Sequence, residues 1–198
     1  MNQGVIIIIN GYSSSGKSHT ANIIHQIKEI SPCILMEFDF ILSKMSANFI
    51  SVDPSDYEEW GIKLIRKKTH EIEIIFNSKG SRLYRSFYSS LLNYTNNGIN
   101  VIVTDVIFNN ELYKQVKSCL GSQYVHKIWI ETSEVIRKYR EEERGDRLTG
   151  LFKFGEFEEY KKESDLVITG ESMLDLQKIE LDLRKIKAGN NRYDDHSS

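Results

Sequence analysis

The segment Gly11-Tyr12-Ser13-Ser14-Ser15-Gly16-Lys17-Ser18 carries the full spacing G-x-x-x-x-G-K-[ST]. Such a string turns consecutive backbone N–H groups toward one point at the positive end of a helix, where they hold a phosphate. In that chemistry the N–H groups from Gly11 through Ser18 and His19 cradle a nucleotide, which we take to be ATP. Lys17 reaches the β/γ oxygens and Ser18 ligates Mg²⁺. The alternative, a flexible serine-rich turn, fits poorly with a buried strand before the loop and a helix after it.

Two aspartates stand where short apolar runs end. Asp105 follows Val101-Ile102-Val103-Thr104, and Asp39 follows Ile34 to Phe38. Ligands of open α/β sheets lie outside the carboxyl ends of the strands, so both carboxylates are expected to face the phosphate loop. Asp105 is read as a carboxylate ordering Mg²⁺ through water, with helix capping as the alternative. Asp39 suits a general base that takes a proton from an attacking hydroxyl, and equally suits an N-cap for a helix starting near Ile41.

Arg137, Arg140, Arg144 and Arg147 are spaced three, four and three apart and line one face of a continuous helix. Four cations on one stripe suit a polyphosphate, and Gly145 interrupts them where a closing lid would hinge. The bland alternative is a solvated helix with i,i+4 pairs such as Glu134 with Lys138, Arg137 with Glu141 and Glu143 with Arg147.

The elements needed to position these residues are legible as β-branched runs alternating with amphipathic stretches, the pattern of a parallel sheet covered by helices. Val5 to Ile9, Ile34 to Phe38, Val101 to Val103, Tyr124 to Ile130 and Leu166 to Ile168 read as strands. A helix with Ile23, Ile24, Ile27 and Ile30 on one side follows the loop and ends at Pro32. Ser81 to Asn96 reads as another, in which Tyr84, Phe87, Tyr88 and Leu91 form a core face. A charged helix starts near Ser133. Leu176, Ile179, Leu183 and Ile186 mark a last one. Residues 61–76 alternate about the basic turn Arg66-Lys67-Lys68 and predict a β-hairpin outside the main sheet.

The chain has 198 residues, with 26 Lys+Arg against 28 Asp+Glu. We expect one domain over residues 1–188 and a disordered polar tail over 189–198. The formal charge of −2 gives no general footprint for nucleic acid or an anionic membrane. The basic turn, with Trp60 and His70 nearby, reads as a solvated hairpin tip rather than a nucleic-acid contact. Cys33 and Cys119, like His19, His25, His70 and His126, lack metal-type spacing. The opening MNQGVIIIING has no export pattern and no run spans a membrane, so a soluble, cytoplasmic protein is expected.

Together these segments resemble the chloramphenicol phosphotransferase family of P-loop kinases. Asn10 to Ser18 looks like that family's N-G-x-S-S-x-G-K-S, and Phe38-Asp39-Phe40-Ile41 like its V-D-x-[LI] motif, whose aspartate is taken as the catalytic base. Val103-Thr104-Asp105-Val106 is similar to D-D-V, with Thr104 in place of the first acid. Arg140-Glu141-x-x-Arg144-Gly145-Asp146-Arg147-x-x-Gly150 is close to its R-E-x-x-R-G-D-R-x-x-G lid.

The resemblance implies a three-layer nucleotide-kinase-like α/β fold with about five parallel strands, an inserted hairpin and an arginine-rich lid over residues 132–150. It implies ATP- and Mg²⁺-dependent transfer to a small-molecule hydroxyl, with Asp39 as base, Lys17, Arg140, Arg144 and Arg147 neutralising charge, and Ser18 and Asp105 at the metal. Chloramphenicol or another antibiotic is one candidate acceptor, and the span from Met45 to Arg85 should line its pocket. Two other functions stay open: a kinase for a nucleotide, nucleoside or RNA end, and a non-catalytic nucleotide-binding module.

Overall fold

The computed structural model describes residues 3–46, 49–52, 61–66, 72–145, 151, 155–169 and 177–184. Among these residues eight strands, numbered in chain order, form two sheets. β1 (Ile6–Gly11), β2 (Cys33–Glu37), β6 (Asn100–Thr104), β7 (Val125–Ile130) and β8 (Leu166–Ile168) pair in parallel in the order β2-β6-β1-β7-β8. The smaller sheet holds β3 (Ile50–Val52), β4 (Ile62–Arg66) and β5 (Ile72–Phe76) in sequence order.

Alternate side chains of a strand point to opposite faces, and here both faces are apolar, as a parallel sheet covered twice requires. Ile6 and Ile8 join Val101, Val103 and Trp129 on one face, under α3 (Ser78–Thr95) and α4 (Asn110–Leu120). Ile7 and Ile9 join Ile102, Ile128 and Ile130 on the other, under α1 (Lys17–His25) and the helical residues 177–184, which contribute Ile179 and Leu183. Leu176, Ile186 and the tail lie outside the described residues.

Three expectations need correction. The first helix ends at His25 rather than running to Pro32, because Ile27 is extended (φ −73°, ψ 118°) and a separate 3-10 turn spans Lys28–Ile30. Ile27 and Ile30 still pack on the same apolar cluster, which is why their spacing reads as a continued helix. Asp39 is not an N-cap: α2 (Phe38–Ser43) starts one residue earlier, so the carboxylate sits inside its first turn. The inserted hairpin, with β4 and β5 antiparallel and Ile62 opposite Phe76, gains β3 as a third strand parallel to β4. Trp60 and the turn residues Lys67, Lys68 and His70 lie outside the described residues.

Asn77 caps α3 by accepting from the backbone N–H groups of Lys79 and Gly80. Gly80 then lies against the carbonyl of Gly61, just before β4, where a methyl group has no room. This contact seats the small sheet on the helix that carries Tyr84 and Tyr88. Helix propensity alone predicts that Gly80→Ala stabilises by ~1 kcal/mol. We expect the opposite, a loss of about 1–3 kcal/mol from overpacking against backbone. Chemical denaturation decides between them.

Candidate active site

The phosphate loop is built around two left-handed residues, Ser14 (φ 61°) and Gly16 (φ 103°). Gly16 is also the N-cap of α1 and makes no side-chain cap, so the first N–H groups of the helix stay turned toward the loop. A Cβ-bearing residue is strained at φ 103°, which is the reason for glycine there. The hydroxyls of Ser14 and Ser15 are buried without hydrogen-bond partners. Buried donors of this kind need acceptors, and phosphate oxygens supply them.

The loop is held from three sides. Asn10, fully buried, accepts from Gly11 N (2.9 Å) and Ile107 N (3.1 Å), tying the end of β1 to the chain leaving β6. Thr132 Oγ1 donates to the Ser15 carbonyl at 3.0 Å, and Arg140 Nη1 reaches the same carbonyl at 3.3 Å. Lys17 Nζ donates to the carbonyls of Gly11 (3.1 Å) and Tyr12 (2.7 Å). Exchanging these neutral acceptors for anionic phosphate oxygens strengthens its hydrogen bonds.

A cavity of about 650 Å³ opens beside the loop, lined by Ser14, Gly16, Lys17, Ser18 and His19 from one side and Arg140 and Arg144 from the other. Both arginines come from α5 (Glu134–Arg144), whose N-cap is Ser133 and which Gly145 ends at φ 61°. Arg137 departs from the expected stripe. Its guanidinium lies 3.7 Å from the Tyr12 ring centre and is buried, so it braces the loop from behind instead of facing the cavity. Tyr12 correspondingly packs edge-on against Trp129 and Phe157. Arg147, Asp146 and Gly150 lie outside the described residues.

Asp39, Asp105, Glu37 and Thr104 line the same cavity. Asp105 does not cap α4, whose N-cap is Asn109. Tyr84 and Tyr88 each donate a hydroxyl to Asp105 Oδ2 at 2.8 Å, and Val106 N donates to Oδ1 at 2.7 Å. The two tyrosines are buried core residues, as their spacing predicts, but spacing carries no sign that their hydroxyl groups meet a carboxylate of the cavity. Nothing in the local sequence marks Glu37 either. It is the register partner of Thr104, whose Oγ1 donates to Glu37 Oε1 at 3.1 Å.

A second cavity, of about 190 Å³, meets the first at Asp39 and Asp105. Its wall is apolar: Phe38 and Leu42 from α2, Ile50, Ile62, Leu64, Ile74 and Phe76 from the small sheet, then Val106, Phe108 and Leu151, with Ser13 at the loop. Ile50 to Tyr84 fall in the span expected to line the acceptor pocket.

The parallel sheet and its loop define a P-loop kinase fold. Solved structures share it. The Mycobacterium tuberculosis APS kinase CysC, in complex with AMPPNP and APS, aligns with TM-score 0.62 and 15% identity over 93% of this chain and 99% of its own. The corresponding values are 0.53, 11%, 92% and 97% for shikimate kinase from Bacteroides thetaiotaomicron. For the tunicamycin resistance protein of Deinococcus radiodurans they are 0.53, 17%, 91% and 94%.

The sequence model of the family described as "Chloramphenicol phosphotransferase-like protein" matches residues 4–175, and the chain belongs to that family. None of the curated proteins compared with the chain matches it. Among the described residues no helix is long and apolar enough to cross a membrane.

Burial pushes the Asp105 carboxyl up from its ordinary 3.8 to about 6. The phenol donors of Tyr88 and Tyr84 oppose that rise, and the negative charge of Asp39 adds to it. The folded protein therefore keeps a proton that the unfolded chain releases between about pH 4 and pH 6. Stability from this group is complete below about pH 4 and is lost as pH rises through about 6, a change of about 3 kcal/mol. Asp105→Asn replaces the titrating carboxyl with an amide whose cost does not depend on pH, so it should unfold with a smaller difference between pH 4 and pH 7 than the wild type. Urea titrations at both pH values measure this, and equal differences would contradict it.

Proposed function

We propose that the protein transfers the γ-phosphoryl group of ATP to a hydroxyl of a small, largely apolar molecule, such as chloramphenicol or another antibiotic. The observation that carries this reading is the meeting of two chemically distinct cavities at Asp39 and Asp105. One cavity is lined by the phosphate loop and arginines, the other by aliphatic and aromatic side chains. A sugar or nucleotide acceptor needs several convergent polar groups; among the described residues the wall formed by Ile50, Ile62, Leu64, Ile74 and Phe76 supplies none, and Ser13, Asp39, Tyr84 and Asp105 are the polar residues of the lining. That lining argues against a nucleotide or an RNA end as acceptor.

The buried, partnerless hydroxyls of Ser14 and Ser15 and the cations around them fit a nucleotide's phosphates. ATP supplies the transferred group, and Ser18 would hold Mg²⁺, which would offset the charge of the phosphates. Lys17 holds the β/γ oxygens, and Arg140, Arg144 and, from the sequence, Arg147 balance the charge on the oxygens of the phosphoryl group in flight. Asp39 takes the acceptor's hydroxyl proton as the alcohol oxygen bonds to the γ-phosphorus. The bond from phosphorus to the bridging oxygen breaks, and its electron pair leaves with ADP. The apolar wall excludes water, which would otherwise compete as acceptor.

Asp39→Asn keeps the shape of the side chain and removes the base. With an acceptor in hand, single-turnover transfer should slow on the order of 10²–10⁴-fold. ATP affinity, measured by calorimetry, should barely change. Near-normal turnover in the variant would remove Asp39 from the chemistry.

A further inference from the structure

We propose that Glu37, held by Thr104, is the carboxylate that meets the water shell of the nucleotide's Mg²⁺, and that Asp105 belongs to the acceptor side. The proposal rests on the phosphotransferase reading above. Glu37 ends β2 directly beside Thr104 on β6, and the Thr104 hydroxyl fixes its Oε1 at 3.1 Å. The side chain lines the cavity shared by Lys17 and Ser18 but not the apolar one. Its hydrogen bond from Thr104 is the one that the described residues give it, which leaves its second oxygen for water.

Asp105 is differently placed. Three hydrogen bonds, from Tyr84, Tyr88 and Val106, already occupy most of the roughly four acceptor sites of a carboxylate. It is 5% exposed, and it lines the apolar cavity as well. A buried carboxylate committed to phenols is a poor partner for a strongly hydrated ion, which keeps several waters and needs charged oxygens near them.

The sequence fits the same exchange. Thr104 at the end of β6 carries no charge, and its register neighbour one strand away supplies a carboxylate. Ser14, whose buried hydroxyl has no partner, independently marks the cavity as the polyphosphate side.

The test follows Mg²⁺-dependent binding of a non-hydrolysable ATP analogue by calorimetry, so no acceptor is needed. Removing a group that organises a metal's surroundings costs ~10–100-fold in metal affinity. Glu37→Gln should therefore raise the Mg²⁺ concentration for half-saturation by at least about tenfold, while metal-free nucleotide binding stays the same. Asp105→Asn should leave that concentration unchanged. Adding Thr104→Asp to Glu37→Gln should recover most of the loss, which a purely structural role for Glu37 does not predict. An unchanged Mg²⁺ dependence in Glu37→Gln, or an equal shift in Asp105→Asn, would overturn the proposal and leave the kinase reading standing. Absence of Mg²⁺-dependent binding in the wild type would overturn both.

Discussion

The site exists because the five strands of the large sheet run in one direction. Parallel pairing brings their carboxyl ends to a common edge, with Glu37 beside Thr104, Thr104 beside Ile9, and Gly11 beside Ile130. Each chain segment then has to turn at that edge, and there stand the groups of the proposed chemistry: the phosphate loop after β1, Asp39 after β2 and Asp105 after β6. Asn10 fixes two of these turns together by accepting from Gly11 and Ile107. Its burial leaves those N–H groups with no water to replace it, so the spacing of the loop and Asp105 is set by a hydrogen bond that is costly to lose.

Around this edge the protein separates charge from apolar surface. On one side stand Lys17, Arg140 and Arg144; on the other the small sheet and α2 form an apolar wall, with the carboxylates of Asp39 and Asp105 where the two sides meet. Asp105 lies at the boundary, and its position needs the two phenols of α3. Without Tyr84 and Tyr88 a carboxylate this buried would remain protonated over a wider range of pH, since both hydrogen bonds favour the charged form. Packing of Gly80 against Gly61 keeps the helix bearing these phenols in contact with the small sheet that lines the apolar cavity.

Local sequence carried the strands, the phosphate loop and Arg140 and Arg144, because period-two apolar runs, a full loop motif and three- or four-residue spacing are one-dimensional signals. What lay outside its reach were relations between distant segments. The Tyr84 and Tyr88 spacing announces a buried helix face but not that both hydroxyls converge on a residue 21 and 17 positions away. Arg137 shares the arginine stripe yet turns inward to Tyr12, since periodicity places a residue on a face without saying what that face meets. Glu37 reads as the end of an apolar strand. Only the β2–β6 register sets it beside Thr104. The continuation of the first helix toward Pro32 failed for a related reason: Ile27 and Ile30 keep their apolar contacts through an extended residue and a 3-10 turn.

The central claim is that phosphate chemistry and an apolar acceptor meet at one edge of the sheet. It is tested most directly by measuring ATP-dependent phosphate gain, by mass spectrometry, across a matched panel of aromatic and aliphatic alcohols, sugars and nucleosides. The account predicts that transfer concentrates on apolar alcohols, with sugars and nucleosides close to the background of ATP hydrolysis. Transfer confined to sugars or nucleosides, or ATP turnover with no alcohol phosphorylated, would contradict it.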